Sequence, residues 1–394
     1  MKKTRIISLI ALLLVCAMMF GACAQRPRNA SAQVGPTATE VPQDETVPAE
    51  NEENTGNGEA TPAPSTETAS PKPTSEPTAE PTEAPVYTNP LTGEICEKDY
   101  SKARPVAVMV ENNHNNGMIN QAGISQAAIL IEFQVEKITR NMAIFMDLED
   151  VPAIYPVRSA RSYFVSAALA YDAIYVHRGQ SADGVDFSEN VLVNYVDNDN
   201  IDLGDTNSYR METWPHIGEH GMGTSGELLL NSFEAFGTRT EHKTDSFDYG
   251  MHFTENAAPT NGEAAGSIRV VYPENKIMNF TYDESKNGYT GYQWDTAYVD
   301  DTTSEPVVFQ NVLILATPTQ IGADAHWHSV ITTTDYEGTG LFFNGGYVMP
   351  IKWSRGGLNT PFKFFDEQGN DLQLGIGHSY IGFVSSTYGG ATYS

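Results

Sequence analysis

The sequence predicts an α/β protein: an N-terminal mixed α/β layered domain followed by a β-rich, mostly antiparallel C-terminal domain. Three observations carry that expectation. Val106 to Val110 is a continuous apolar run (VAVMV), as expected of a strand buried on both faces. Pro156 to Gly179 (PVRSARSYFVSAALAYDAIYVHRG) reads as a helix feeding a strand. From about Ser267 onward, short apolar stretches alternate with Gly, Asn and Asp, the pattern of antiparallel strands and turns.

The chain has 394 residues, and its first quarter does not read as folded. Lys2, Lys3 and Arg5 precede an apolar segment that is too short and too early for a permanent span, so residues 1–22 are expected to be a signal peptide. Phe20-Gly21-Ala22-Cys23 resembles a lipobox, with Phe20 where leucine is usual, and Cys23 is the expected lipidation site. Residues 23–86 are rich in Pro, Thr and Glu and nearly lack large apolar side chains. Such a segment buries too little area to offset its ordering entropy, so it is expected to be a disordered tether.

Residues 87–245 form the expected α/β domain, 246–265 a linker and 266–394 the β-rich domain. Once the signal has gone, Cys96 is the only thiol of the body apart from Cys23, so the core must stabilise the fold without an internal disulfide. The net charge is −27, and the tether contributes only 11 acids and 3 bases. The acidity therefore belongs to the body, which argues against nucleic acid as a partner.

In the first domain, the strand Val106–Val110 is expected to stop at an Asn-rich run, Glu111 to Gly117. Ile124 to Glu132 is expected to start helical at Ser125 and pass into a strand, Phe133 to Ile138 follows, and Ala143 to Met146 is another strand. In the central helix, Ala160, Tyr163, Phe164, Ala167, Ala168 and Tyr171 share one face at helical spacing, with Ser159 as the expected cap. Ala173 to Val176 is the next strand, ending in His177. A second helix is expected from Glu227 to Phe236, capped by Ser225 or Thr224.

The arginines raise the functional question. Arg158 and Arg161 stand at the start of a helix, where the macrodipole is already positive. Acids of the fold or a bound anion must hold them. Glu132, Glu136, Arg140, Arg158, Arg161, His177 and His216 all lie in or beside strand and helix ends, and their convergence would make a pocket for an acidic or glycan-like ligand. No metal or cofactor is expected. His216 and His220 have HxxxH spacing among helix-breaking glycines, His326 and His328 flank one tryptophan, and the loop Asp197–Asp205 departs from the EF-hand pattern.

RPVAVMVEN, the Glu132–Arg140 segment, PVRSAR at Pro156–Arg161 and YDAIYVHRG at Tyr171–Gly179 together resemble the YerB-like lipoproteins. The second half fits too, with a NVLIL strand, GTGLFFNGG and a terminal DEQGNDLQLGIGHSYIGFV. The family pattern is not matched at Arg178–Ser181, where Gly-Gly-Ser is usual, nor at Ile217, where Asn usually follows Pro-His. An arginine expected after GYTGY is also missing. The family has no known function. The resemblance implies an exported protein held at the outer face of the cell membrane by its lipid. The preferred reading is a non-enzymatic binding or scaffold module in the cell envelope, with envelope proteins or cell-wall glycan as partners. Tyr289, Tyr292, Trp294, Trp327 and Trp353 are candidates for stacking on sugars. The alternatives are a hydrolase of envelope glycans or peptides, using Glu132 or Glu136 with His177, and a solute-binding lipoprotein.

Overall fold

The computed structural model describes residues 85–112, 121–136, 138–181, 200–203, 209–210, 221–272, 276–322 and 328–394. The expectations for the signal peptide, Cys23, the tether before residue 85, His216, His220, His326 and Trp327 lie outside these residues, as does most of the 197–205 loop.

The expected α/β layering is not what forms. The described chain is mostly β, with two α-helices among the described residues, Ser162–Leu169 (α1) and Gly226–Phe236 (α2). The first-half strands are Val106–Asn112 (β1), Ile129–Val135 (β2), Ile138–Phe145 (β3), Ile174–His177 (β4) and Asn200–Asp202 (β5). The second half supplies Ser267–Val271 (β6), Ile277–Asp283 (β7), Gly288–Gln293 (β8), Asn311–Thr317 (β9), Tyr336–Asn344 (β10), Tyr347–Arg355 (β11), Ser379–Ser385 (β12) and Gly390–Tyr393 (β13).

One sheet of eleven strands takes members from both halves. Its order runs from Glu263–Ala264 through β11, β10, β9, β12, β2, β3, β1 and β4 to β5, with Lys363–Phe365 also on β11. The junction is β12 parallel to β2, pairing Ser379 with Ile129 through Phe383 with Phe133. A smaller sheet has Thr296–Ala297, β8, β7, β6 and β13 in order, with Val308–Phe309 on β8.

The apolar runs misled because burial on both faces does not require helices on both faces. Alternating side chains divide the large sheet into two cores. Ala107, Met109, Ile131, Phe133, Met142 and Phe383 pack beneath α1. Val108, Val110, Leu130, Ala143 and Tyr380 pack against Ile268, Val270, Phe280 and Phe309 of the smaller sheet. Strand β1 is thus covered by a helix on one side and by another sheet on the other.

The six residues expected on one helix face, Ala160, Tyr163, Phe164, Ala167, Ala168 and Tyr171, are all in the core, but Ala160 and Tyr171 fall outside the shorter α1. Val165, Ser166 and Leu169 are buried as well, so the helix is enclosed nearly all round. Phe164 meets Phe133 edge to face at 4.9 Å, and Phe133 stacks on Phe383 at 4.5 Å. Such pairs add about 0.5–1.5 kcal/mol beyond the area they bury. The expected cap is displaced. Arg161 occupies the N-cap of α1 with extended backbone and no side-chain capping bond, while Ser159 lies outside the helix. Helix α2 is capped by Ser225, whose Oγ accepts from Leu228 N.

Candidate functional site

The entry to α1 meets the carboxyl ends of the parallel strands β1 and β4 and the β2–β3 hairpin. Tyr163 fixes this junction by donating from its hydroxyl to Gln134 O at 3.0 Å. The hairpin turns at Glu136, whose φ of 34° is left-handed, a conformation that costs a non-glycine residue about 1–2 kcal/mol. Backbone strain of this kind persists only where surrounding contacts hold it. Here Glu136 Oε1 accepts from Arg161 Nε at 2.8 Å and from Nη2 at 2.6 Å. His328, from the second half, brings Nε2 within 3.9 Å of the same oxygen.

Arg158 lies beside Glu111, with Nε 3.3 Å from Oε2. His177 has Nδ1 2.8 Å from Gly179 O, so that nitrogen carries a proton and donates to the carbonyl. Arg140 differs from its neighbours. It is 5% exposed, and Nη1 donates to Ser159 O at 2.8 Å. Its Nε has no hydrogen-bond partner among the described residues. Burial, reinforced by the charges of Arg161 and Arg158 and opposed by Glu136, lowers its pKa to about 10. Tyr175 is buried against the same group, and desolvation pushes its phenol far above the usual range.

Glu136, Arg140, Arg158 and Arg161 come together at the helix entry, and His177 ends β4 beside Tyr175, with the ring centroids 5.4 Å apart. Glu132 lies on the opposite face of the sheet. Its Oε2 accepts from Tyr380 at 2.7 Å and its Oε1 from Asn112 at 3.1 Å, and Tyr380 continues to Tyr272 at 2.8 Å. Lys276 is buried near this network, donating to Gln293 and lying 4.4 Å over the Trp294 ring, and desolvation lowers its amine to about 8. A Glu132–His177 pair is not assembled. Sequence reasoning also missed Glu111, Tyr175 and His328 as members of the arginine cluster. Glu111 was within reach: it continues the odd-numbered face of β1 from Ala107 and Met109. Among the proposed stacking aromatics, Tyr289 and Trp353 are core residues. No group of three metal-ligating side chains occurs among the described residues.

Known proteins match this architecture. Two profiles, described as the N-terminal and C-terminal domains of a protein of unknown function (DUF3048), match residues 91–227 and 268–381. The chain belongs to this YerB-like family. It is 31% identical over 300 residues to the "Putative lipoprotein YerB" of Bacillus subtilis, covering 75% of this chain and 85% of that protein. The crystal structure of YerB from Bacillus subtilis superposes with a TM-score of 0.65 at 26% identity, covering 78% of this chain and 99% of the other. The family is one of unknown function. Among the described residues, no helix is long and apolar enough to cross a membrane.

Proposed function

We propose that this YerB-like chain is an extracytoplasmic lipoprotein, acylated at Cys23, and that it is a binding module whose arginine cluster receives an anionic group of an envelope molecule. The name of its relative and the basic, apolar start of the chain support the anchor. Arg140 carries the binding claim. It is a buried guanidinium with an unmatched Nε–H, set beside Arg161 and Arg158. A carboxylate or phosphate would meet the guanidinium fork geometry and offset its desolvation. The hydrolase alternative loses one of its two acids, because Glu132 and His177 face away from each other across the sheet, and Glu136 is held by Arg161.

Calorimetry on the full-length protein in detergent tests this, with inorganic phosphate, glycerol 3-phosphate and glucuronate as probes. Saturable binding of one of them, weakened by salt and reduced at least tenfold by Arg140→Met, is expected. No heat with any probe, or binding unchanged in the variant, contradicts it. Metabolic labelling with a fatty-acid analogue should mark the wild type and not Cys23→Ser.

A further inference from the structure

A second site lies in the other half of the chain and shares no residue with the arginine cluster. A pocket of about 470 Å³, within the size range of small-molecule sites, is lined by Glu255, Asn256, Asn287, Gln310, Asn344 and Ile376, among others. Its amides are oriented by the backbone. Gln310 Oε1 accepts from His378 N at 2.8 Å, which turns the two Nε2 protons the other way. Asn344 spends its two amide protons on Gln310 O at 3.0 Å and Asn311 Oδ1 at 3.2 Å, which leaves its carbonyl as an acceptor. The buried Asn311 locks this arrangement, accepting from Gly375 N at 2.7 Å and donating to Gly375 O at 2.7 Å.

The backbone keeps room for both amides. A Cβ at Gly375 would stand 2.4 Å from Asn344 Nδ2, and a Cβ at Gly377 would stand 2.4 Å from Gln310 Oε1. These close approaches explain two glycines of the LQLGIGHS segment. The facing wall, Glu255 and Asn256, follows the short strand His252–Thr254, which pairs in parallel with Gln373–Gly375. Both wall side chains are exposed.

We infer that this pocket binds a neutral saccharide. Fixed amide donors and acceptors, one carboxylate and one exposed isoleucine match vicinal hydroxyls and the apolar face of a sugar ring. Among the described residues no lysine or arginine lines it, which disfavours an anionic ligand. The site differs from the expected sugar-stacking surface, because its selectivity comes from amides rather than aromatic rings.

The test is saturation-transfer NMR on the full-length protein in detergent, with cellobiose and N,N′-diacetylchitobiose as probes, the second adding acetamido groups. Transfer to either sugar is expected. Ile376→Trp fills the pocket from an exposed position and should weaken binding at least tenfold without changing Tm. If that variant fails to fold, the double substitution of Glu255→Ala and Asn256→Ala reports the same loss from the exposed wall. Absence of transfer with both sugars, or transfer unaffected by these substitutions, overturns the inference. Inorganic phosphate should not compete; competition would also overturn it, by placing the sugar at the arginine cluster.

Discussion

The two ends of helix α1 both carry charge of the wrong sign for its dipole, and the fold treats them differently. Asp172 follows the C-terminal end with a left-handed φ of 47°. It lies between two guanidiniums, Arg239 at 2.9 Å and Arg104 at 3.4 Å, and the His242 ring, whose Nδ1 is 2.7 Å away. These partners tie the segment 239–242 to the helix–strand turn. His242 continues to the Tyr249 hydroxyl at 2.7 Å. At the N-terminal end, Arg158 and Arg161 each have a glutamate, whereas Arg140 makes its hydrogen bond to a backbone carbonyl. One end is an acid enclosed by bases and reads as architecture. The other contains a buried base, Arg140, with no side-chain acid hydrogen-bonded to it among the described residues, and it is the end proposed above to receive a ligand.

The largest expected effect breaks the first end. Asp172→Asn leaves Arg104, 1% exposed, without its carboxylate and should cost about 3–5 kcal/mol in urea unfolding at pH 7. The pH dependence sharpens this. Hydrogen bonds from His242 and Arg239 hold the Asp172 carboxyl well below the usual range, against the opposing effect of burial. An acid with a depressed folded pKa stabilises above its unfolded value and loses that stabilisation as the pH falls toward the folded value. The gap between wild type and Asp172→Asn should therefore hold from pH 7 to about pH 5 and narrow below about pH 4.

A smaller loss is expected at the second end. Glu136→Gln weakens the hold on Arg161 and should cost about 1–3 kcal/mol, read by the same unfolding. Glu136→Gly removes the acceptor altogether and should cost more than the glutamine variant, though the excess is cut by about 1 kcal/mol because glycine adopts the φ of 34° without strain.

The arginines before the helix stood out because charge at a macrodipole end has a preferred sign that Arg158 and Arg161 violate, although the entry itself was placed at Ser159 and α1 begins at Ser162. The face of each strand was not. Placing Glu132 opposite Arg140 needs the register of the β2–β3 hairpin, in which Val135 pairs with Ile138 and Glu132 with Asn141. That tight turn is built on Glu136, with none of the Gly or Asn residues that mark such turns in a sequence. The β2–β12 pairing joins residues about 250 positions apart, and no local pattern announces it. The α/β expectation failed for that reason: the second cover of the central strands comes from the far half of the chain. The amide pocket was hidden similarly, since Gln310, Asn344 and Gly375 meet only through tertiary packing.

The same substitution at two buried arginines tests the contrast most directly. Arg104→Met and Arg140→Met should be compared by urea unfolding at pH 7. Arg104 donates to Asp172 O at 2.7 Å and Arg239 O at 2.6 Å besides its ion pair, so its loss should cost about 3–5 kcal/mol. Arg140→Met should stay within about 1 kcal/mol of wild type, the worth of its hydrogen bond to Ser159 O. Equal, large losses at both positions would contradict the account and make Arg140 a structural residue.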